Sequence, residues 1–360
     1  MNRKLFVVFW FVSALFFLFL EHICTNHSHE NYELMLKAAE NMIQMTNIVR
    51  AHRDSLSEDD INDTGLLGSE FTLMTTTLGD LEAKRTTTNP DFAAVILHML
   101  MKAGVKQGDS VAIGASGSFP ALLIATLSAC KALDANPIVI CSLGASQWGA
   151  NMRNFTILDI MYWLSKAGMC SMPVAVSLGG DLDTGVNFPE DLKRSLIEKI
   201  RRYNVEFINE PDLARNVSVR MKLYLTSAGK SGIAAFVNIG GASVNTGISE
   251  TFLKLKPGLT TVSKFPEEAK QGVLHRMAKM GVPVINLLYM KGICLEYNLP
   301  WDPQPLPTPG EARIYKSLFN KAKVIAVASA HFLSLIVGGL LILKRTRKKK
   351  SRQFKLNSGR

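Results

Sequence analysis

The sequence predicts an α/β domain with a mostly parallel sheet and helices on both faces, flanked by N- and C-terminal transmembrane helices. Three observations lead there. Between residues 89 and 298 short apolar runs alternate with helical stretches, the pattern of strands buried on both faces. Clusters of Gly and Ser recur where those runs give way to the next segment, as tight strand-to-helix turns require. Finally, residues 5–20 are apolar except Ser13, and in 324–343 only Ser329, His331 and Ser334 are polar.

The two end segments set the expected topology. Twenty residues rising about 1.5 Å each cover a hydrocarbon core of roughly 30 Å, which fits 324–343. The first segment is shorter and reaches across with His22 and Ile23 if Glu21 sits at the headgroups. A cleaved signal peptide is the alternative for residues 1–23. No small-x-small site follows the apolar run, so an uncleaved anchor is expected.

Charge orients the chain. The net charge is +11, yet residues 344–360 hold nine Lys or Arg and no acid, and Arg3 and Lys4 precede the first apolar run. Those eleven account for the whole excess and leave residues 21–323 formally neutral. The basic balance therefore belongs to membrane flanks, and nucleic acid is not an expected partner. Basic residues stay on the cytoplasmic side, so the chain is expected to be two-pass in the cell membrane. Both termini are then cytoplasmic and the main domain extracytoplasmic.

Within that frame, 24–88 reads as a helical and loop-rich juxtamembrane region. Its helix carries an apolar stripe at Met35, Ala38, Ala39, Met42, Met45 and Val49. The α/β domain, 89–298, opens on a legible helix start: Asn89 to cap, Pro90 for the first turn and Asp91 for the positive helix end. Strands are expected at 110–113, 137–141, 173–178, 205–208, 220–225, 233–239 and 282–287. Helices are expected at 120–133, 155–167, 189–203 and 267–280. A proline-rich connector, 299–323, leads to the C-terminal span, and 344–360 is a basic cytoplasmic tail. Five cysteines without CxxC spacing indicate buried thiols and no metal cluster. No cofactor and no metal are expected.

The candidate chemistry lies in the loops. Gly114-Ala115-Ser116-Gly117-Ser118 resembles a nucleophile elbow, with Ser118 where the motif's last glycine would stand. Ser116 is the candidate nucleophile. His275 is the candidate base, because the only other histidine after the serine, His331, lies in the C-terminal apolar segment. Gly114, Gly117, Ser118, Ser146, Asp181, Lys230, Gly240 and Gly241 are candidate ligand contacts, since such loops offer backbone N–H groups and hydroxyls to an anion. Gly229-Lys230-Ser231 ends like a phosphate-binding loop, but Tyr224 stands where the earlier glycine is needed.

Three stretches carry a further likeness: Thr75-Thr76-Thr77-Leu78-Gly79-Asp80-Leu81-Glu82-Ala83-Lys84-Arg85-Thr86-Thr87-Thr88-Asn89-Pro90, Ala112-Ile113-Gly114-Ala115-Ser116-Gly117-Ser118-Phe119-Pro120-Ala121-Leu122, and Ser142-Leu143-Gly144-Ala145-Ser146-Gln147-Trp148-Gly149-Ala150-Asn151. Together they resemble the bacterial poly-γ-glutamate system protein family. The resemblance implies an accessory role in biosynthesis, export or attachment of that anionic polymer, beside the synthase and export membrane proteins. It implies no catalytic residues. Three alternatives stay open: a carboxylate-binding module, a serine-dependent amide hydrolase or transferase using Ser116, and a non-catalytic scaffold.

Overall fold

A computed structural model describes residues 11–13, 15–17, 29–316 and the helical backbone of 321–357. Two compact units emerge, Asn31–Tyr315 and the paired ends Met1–Glu30 with Lys316–Arg360.

The larger unit is built on a seven-stranded sheet. Its strands are β1 (Ser110–Ser116), β2 (Asn136–Ser142), β3 (Ala175–Ser177), β4 (Glu206–Phe207), β5 (Ala235–Ile239), β6 (Gly258–Thr260) and β7 (Val284–Leu287). They lie in the order β6-β7-β5-β1-β2-β3-β4, and all neighbours are parallel except β6 with β7. The chain thus winds outward from β1 through β2, β3 and β4, then returns to pair β5 with the other side of β1. That reversal is a topological switch point, where open α/β sheets bind ligands beyond the strands' carboxyl ends.

Period-two alternation sorts the strand residues between two cores. Val111, Ile113, Ala115, Val139, Cys141, Val237 and Ile239 face the larger one. Ala112, Ile138, Ile140, Phe236 and Val284 face the other, under helices at Leu213–Ala228 and Val273–Lys279. On the larger side lie α1 (Tyr32–Ala51), α2 (Leu81–Thr86), α3 (Asp91–Lys102), α4 (Pro120–Leu133), α5 (Ile157–Lys166) and α6 (Glu190–Arg202). α4 is apolar nearly all round because it is buried nearly all round, between the sheet and α1.

All six stripe residues of α1, from Met35 to Val49, are buried in this core. The compact unit therefore extends beyond 89–298 at both ends. At its far end the Tyr315 hydroxyl donates to Asp91 at 2.8 Å, and Arg85 pairs with Asp302.

One expected strand is a helix. Residues 220–225 lie within α7 (Leu213–Ala228), whose buried positions Asn216, Val217, Arg220, Met221 and Tyr224 recur every three to four residues. A strand would have buried alternate residues, but Leu225 is exposed. The helix expected over 267–280 is shorter, α8 (Val273–Lys279), and follows a single 3-10 turn at Glu268–Lys270. The antiparallel edge strand β6 had no sequence signal beyond three residues. Cys130, Cys141 and Cys294 are buried free thiols, and burial pushes the first two up to about 12.

In the other unit, Lys321–Asn357 is one helix. Among the described residues no helix is long and apolar enough to cross a membrane. Most of the expected N-terminal span, 5–20, and the ends of 324–343 lie outside the described side chains. Where the two segments are described they touch: Ser13 Oγ is 3.4 Å from His331 Nε2, and the Phe16 ring stacks on His331 at 3.9 Å.

Candidate functional site

A cleft of about 540 Å³ opens at the carboxyl ends of β1, β2 and β3, where the chain turns back to β5. β1 ends in Ser116, whose Oγ accepts a long 3.4 Å contact from the Ser118 N–H. Gly240, just past β5, has φ +85°, and a Cβ there would sit 2.5 Å from Ser116 Oγ. Only glycine lets the β5 loop close on the β1 loop. Gly114 has a packing reason of its own, since a Cβ would meet the Asn245 side-chain amide at 2.7 Å. The Gly117 N–H donates to the Ser142 carbonyl at 2.9 Å and ties the first loop to β2.

A second wall comes from the 75–90 stretch. Thr75–Thr77 pairs in parallel with Ala145–Ser146. Asn151 anchors this wall by hydrogen bonds to both the N–H and the carbonyl of Ser69 and to Thr75. Asp80 then caps α2, accepting from the Ala83 N–H at 3.1 Å. One turn on, α2 delivers Lys84 into the cleft.

Lys84 is 3% exposed. Its Nζ donates to the Ser118 carbonyl, lies 2.7 Å from Ser146 Oγ, and sits 3.9 Å above the Phe119 ring centroid. Burial disfavours the ammonium and lowers Lys84 to about 7, with Asp80 opposing part of that shift. Ser146 is held in turn: its N–H donates to Ser118 Oγ at 3.0 Å. A hydroxyl, a buried amine near neutrality and a second hydroxyl thus form one connected group.

The floor is a buried ion pair. Asp183 receives Arg220 at 2.6 Å, the Ser142 and Ser177 hydroxyls at 2.8 and 2.7 Å, and the Asn216 amide at 3.1 Å. The turn that aims Asp183 is strained, with Leu182 and Asp183 both at positive φ (55° and 59°). Such a conformation persists where surrounding contacts over-determine it.

Of the residues singled out from sequence, Ser116, Ser118, Ser146, Asp181 and Gly241 line this cleft. Gly114, Gly117 and Gly240 do not line it; their backbones pack closely on Asn245, on Leu143 and Ala145, and on Ser116 respectively. Asp181 is an exposed rim residue that accepts from Asn187 at 2.8 Å. Lys230 lies elsewhere. Because 220–225 is helical, Gly229–Ser231 leads from α7 into β5, at the sheet's amino end and opposite the cleft. His275 is also apart from it. The Nδ1 accepts from the Gly272 N–H at 3.2 Å, at the start of the ring's own helix, and burial lowers this imidazole to about 4. It is not among the residues lining the cleft with Ser116. Trp148, in the third motif stretch, is not among the lining residues and donates its indole N–H to Asp59 at 2.7 Å.

The sequence marks Lys84 only as one of the basic residues nearest to the motif loops, with Arg85 and Lys230, and not as a site residue. Its partners lie 34 and 62 residues along the chain, and only the fold joins them. The available signal was one lysine inside an otherwise hydroxyl-rich motif. Comparison of the chain with family models, curated proteins and solved structures finds no match in any of the three.

Proposed function

We propose that this chain is a membrane-anchored accessory factor in poly-γ-glutamate biosynthesis, export or attachment. Its α/β domain receives a carboxylate-bearing glutamyl segment in the switch-point cleft. One observation carries this reading. The three stretches that resemble the poly-γ-glutamate family converge on that single cleft: Thr76 to Lys84 from the first, Ser116 to Phe119 from the second, Ser142 to Ser146 from the third.

The cleft's chemistry suits one glutamyl unit better than a threaded polyanion. Its volume is that of a small-molecule pocket. Lys84 is the one basic residue among its lining, beside the Ser116 and Ser118 hydroxyls, while Asp80 and Asp181 stand exposed at the rim. A scaffold that bound other complex members through the apolar stripe of α1 is disfavoured, since that stripe is buried within the domain.

Two features favour membrane anchoring. Apolar side chains from Ile325 to Leu340, among them Phe332 at 68% and Leu333 at 65%, are exposed on the long helix, which water would disfavour. The contact between Ser13 and His331 joins polar residues from the two apolar segments, as helices buried in lipid tend to do. The basic tail argues for cytoplasmic termini.

The test is titration of the detergent-purified full-length chain with short γ-linked glutamate oligomers. Saturable binding is expected, weaker for α-linked oligomers. Affinity should fall by about tenfold per pH unit above about 7, as Lys84 loses its proton. Absent binding, or binding flat across that interval, would count against the reading.

A further inference from the structure

We infer that the cleft is catalytic, with Ser146 as nucleophile and Lys84 as its general base, and that it cleaves a γ-glutamyl amide through a Ser146 ester. The substrate class rests on the reading above; the dyad itself rests on geometry. A serine hydroxyl is a weak nucleophile until a base within hydrogen-bond reach takes its proton. Within this cleft Ser146 has that base, at 2.7 Å. Ser116, the elbow serine, accepts from the Ser118 backbone N–H and lies apart from His275.

The surroundings fit a lysine that works as a free base. Its Nζ is pinned by the Ser118 carbonyl, so a neutral amine donates there and keeps its lone pair for the Ser146 proton. Burial lowers Lys84 to about 7 and supplies that neutral form at physiological pH. Ser146 is fixed by its N–H bond to Ser118 Oγ and by its register with Thr77. The Ser116 and Ser118 hydroxyls, in the same cleft, are donors for the developing oxyanion.

The step balances without oxidant or metal. Ser146 Oγ bonds to the amide carbon as its proton passes to Lys84 Nζ, and the carbonyl pair moves to oxygen. The tetrahedral centre collapses, the C–N bond breaks, and Lys84 returns the proton to the leaving nitrogen. Water then adds to the ester, giving its proton to Lys84. The C–Oγ bond breaks and Ser146 recovers its proton, so amide and water become acid and amine.

A bound carboxylate favours protonated Lys84, whereas chemistry needs the free base. KM and kcat should therefore both rise with pH, which a merely structural lysine would not produce.

The experiment uses the detergent-purified full-length chain, with γ-glutamyl-p-nitroanilide and γ-linked glutamate oligomers as probes. The readouts are amine release, oligomer length, oligomer binding and the intact mass after acid quench. Expected are turnover and a γ-glutamyl adduct on the peptide containing Ser146. Ser146→Ala and Lys84→Met should each lower turnover by at least about a thousandfold, with cooperative thermal transitions retained. Lys230→Ala, at the opposite end of the sheet, should leave turnover unchanged. Oligomer binding without turnover or adduct would overturn the dyad and leave the binding reading standing. Turnover that survives Ser146→Ala would also overturn it. An adduct on Ser146 without oligomer binding would support the dyad and overturn the polymer reading, and neither binding nor turnover would sink both.

Discussion

Arg220→Met should destabilise the α/β domain by about 3–5 kcal/mol, measured as a lowered urea midpoint with an unchanged slope. Arg220 is fully buried and donates to Asn216 at 2.9 Å, Ser177 at 2.7 Å and Asp183 at 2.6 Å. Removing it leaves the Asp183 carboxylate in a low-dielectric site with only neutral donors, and the unpaired charge is the costly part. The strained Leu182-Asp183 turn would also lose the contact that holds it. A double variant, Arg220→Met with Asp183→Leu, should recover much of the loss, because a buried pair replaced by apolar groups is often near neutral. A double variant no more stable than the single one would show that the pair matters through shape and not charge.

Lys84→Met should have the opposite sign. Lys84 falls from an ordinary value of 10.5 to about 7 on folding, so between those values the unfolded chain binds more protons than the folded one. Wild-type stability then rises with pH across that window, by about 1.4 kcal/mol per unit. Below about 7 the burial penalty is present in full, and above 10.5 it is gone. The methionine variant lacks that slope. It should melt higher than wild type near pH 6 to 7, less the roughly 1–3 kcal/mol lost where the Ser118 carbonyl is left without its donor. The two curves should converge and cross as pH approaches 10. Thermal melts across that range read the effect, and parallel curves would deny the burial cost. A lysine kept at such expense in a ligand cleft is expected where function needs it.

Much of the fold was legible because local and tertiary signals agreed. The apolar runs at 110–113 and 137–141 are buried on both faces, so composition alone marked them. Asn89, Pro90 and Asp91 marked the start of α3, where Asn89 accepts from the Asp91 N–H at 3.0 Å, but Pro90 takes the cap position without a side-chain bond and Asp91 is buried against Tyr315. The spacing from Met35 to Val49 named the buried face of α1. Residues 220–225 misled because Met221, Leu223 and Leu225 alternate as a strand would, while the deciding burial of Arg220 could not be foreseen. A charged residue reads as surface unless its partner is known. The same limit hid Lys84. The elbow-like serine drew attention to Ser116, while the buried amine that the fold supplies reaches Ser146. Misreading one helix as a strand also turned Lys230 into a loop candidate at the wrong end of the sheet.

The central claim is that three distant motif stretches form one ligand site at the β1/β5 switch point. The most direct measurement is photo-crosslinking of the full-length chain with a diazirine-bearing γ-linked glutamate oligomer, followed by peptide mapping. Adducts confined to residues 76–84, 116–119, 142–146, 180–183, 241–243 and 288, and lost to competition by unlabelled oligomer, are the expected result. Competable adducts confined to other surfaces, such as the groove beside β6 lined by Lys102, Lys256 and Thr260, would contradict it.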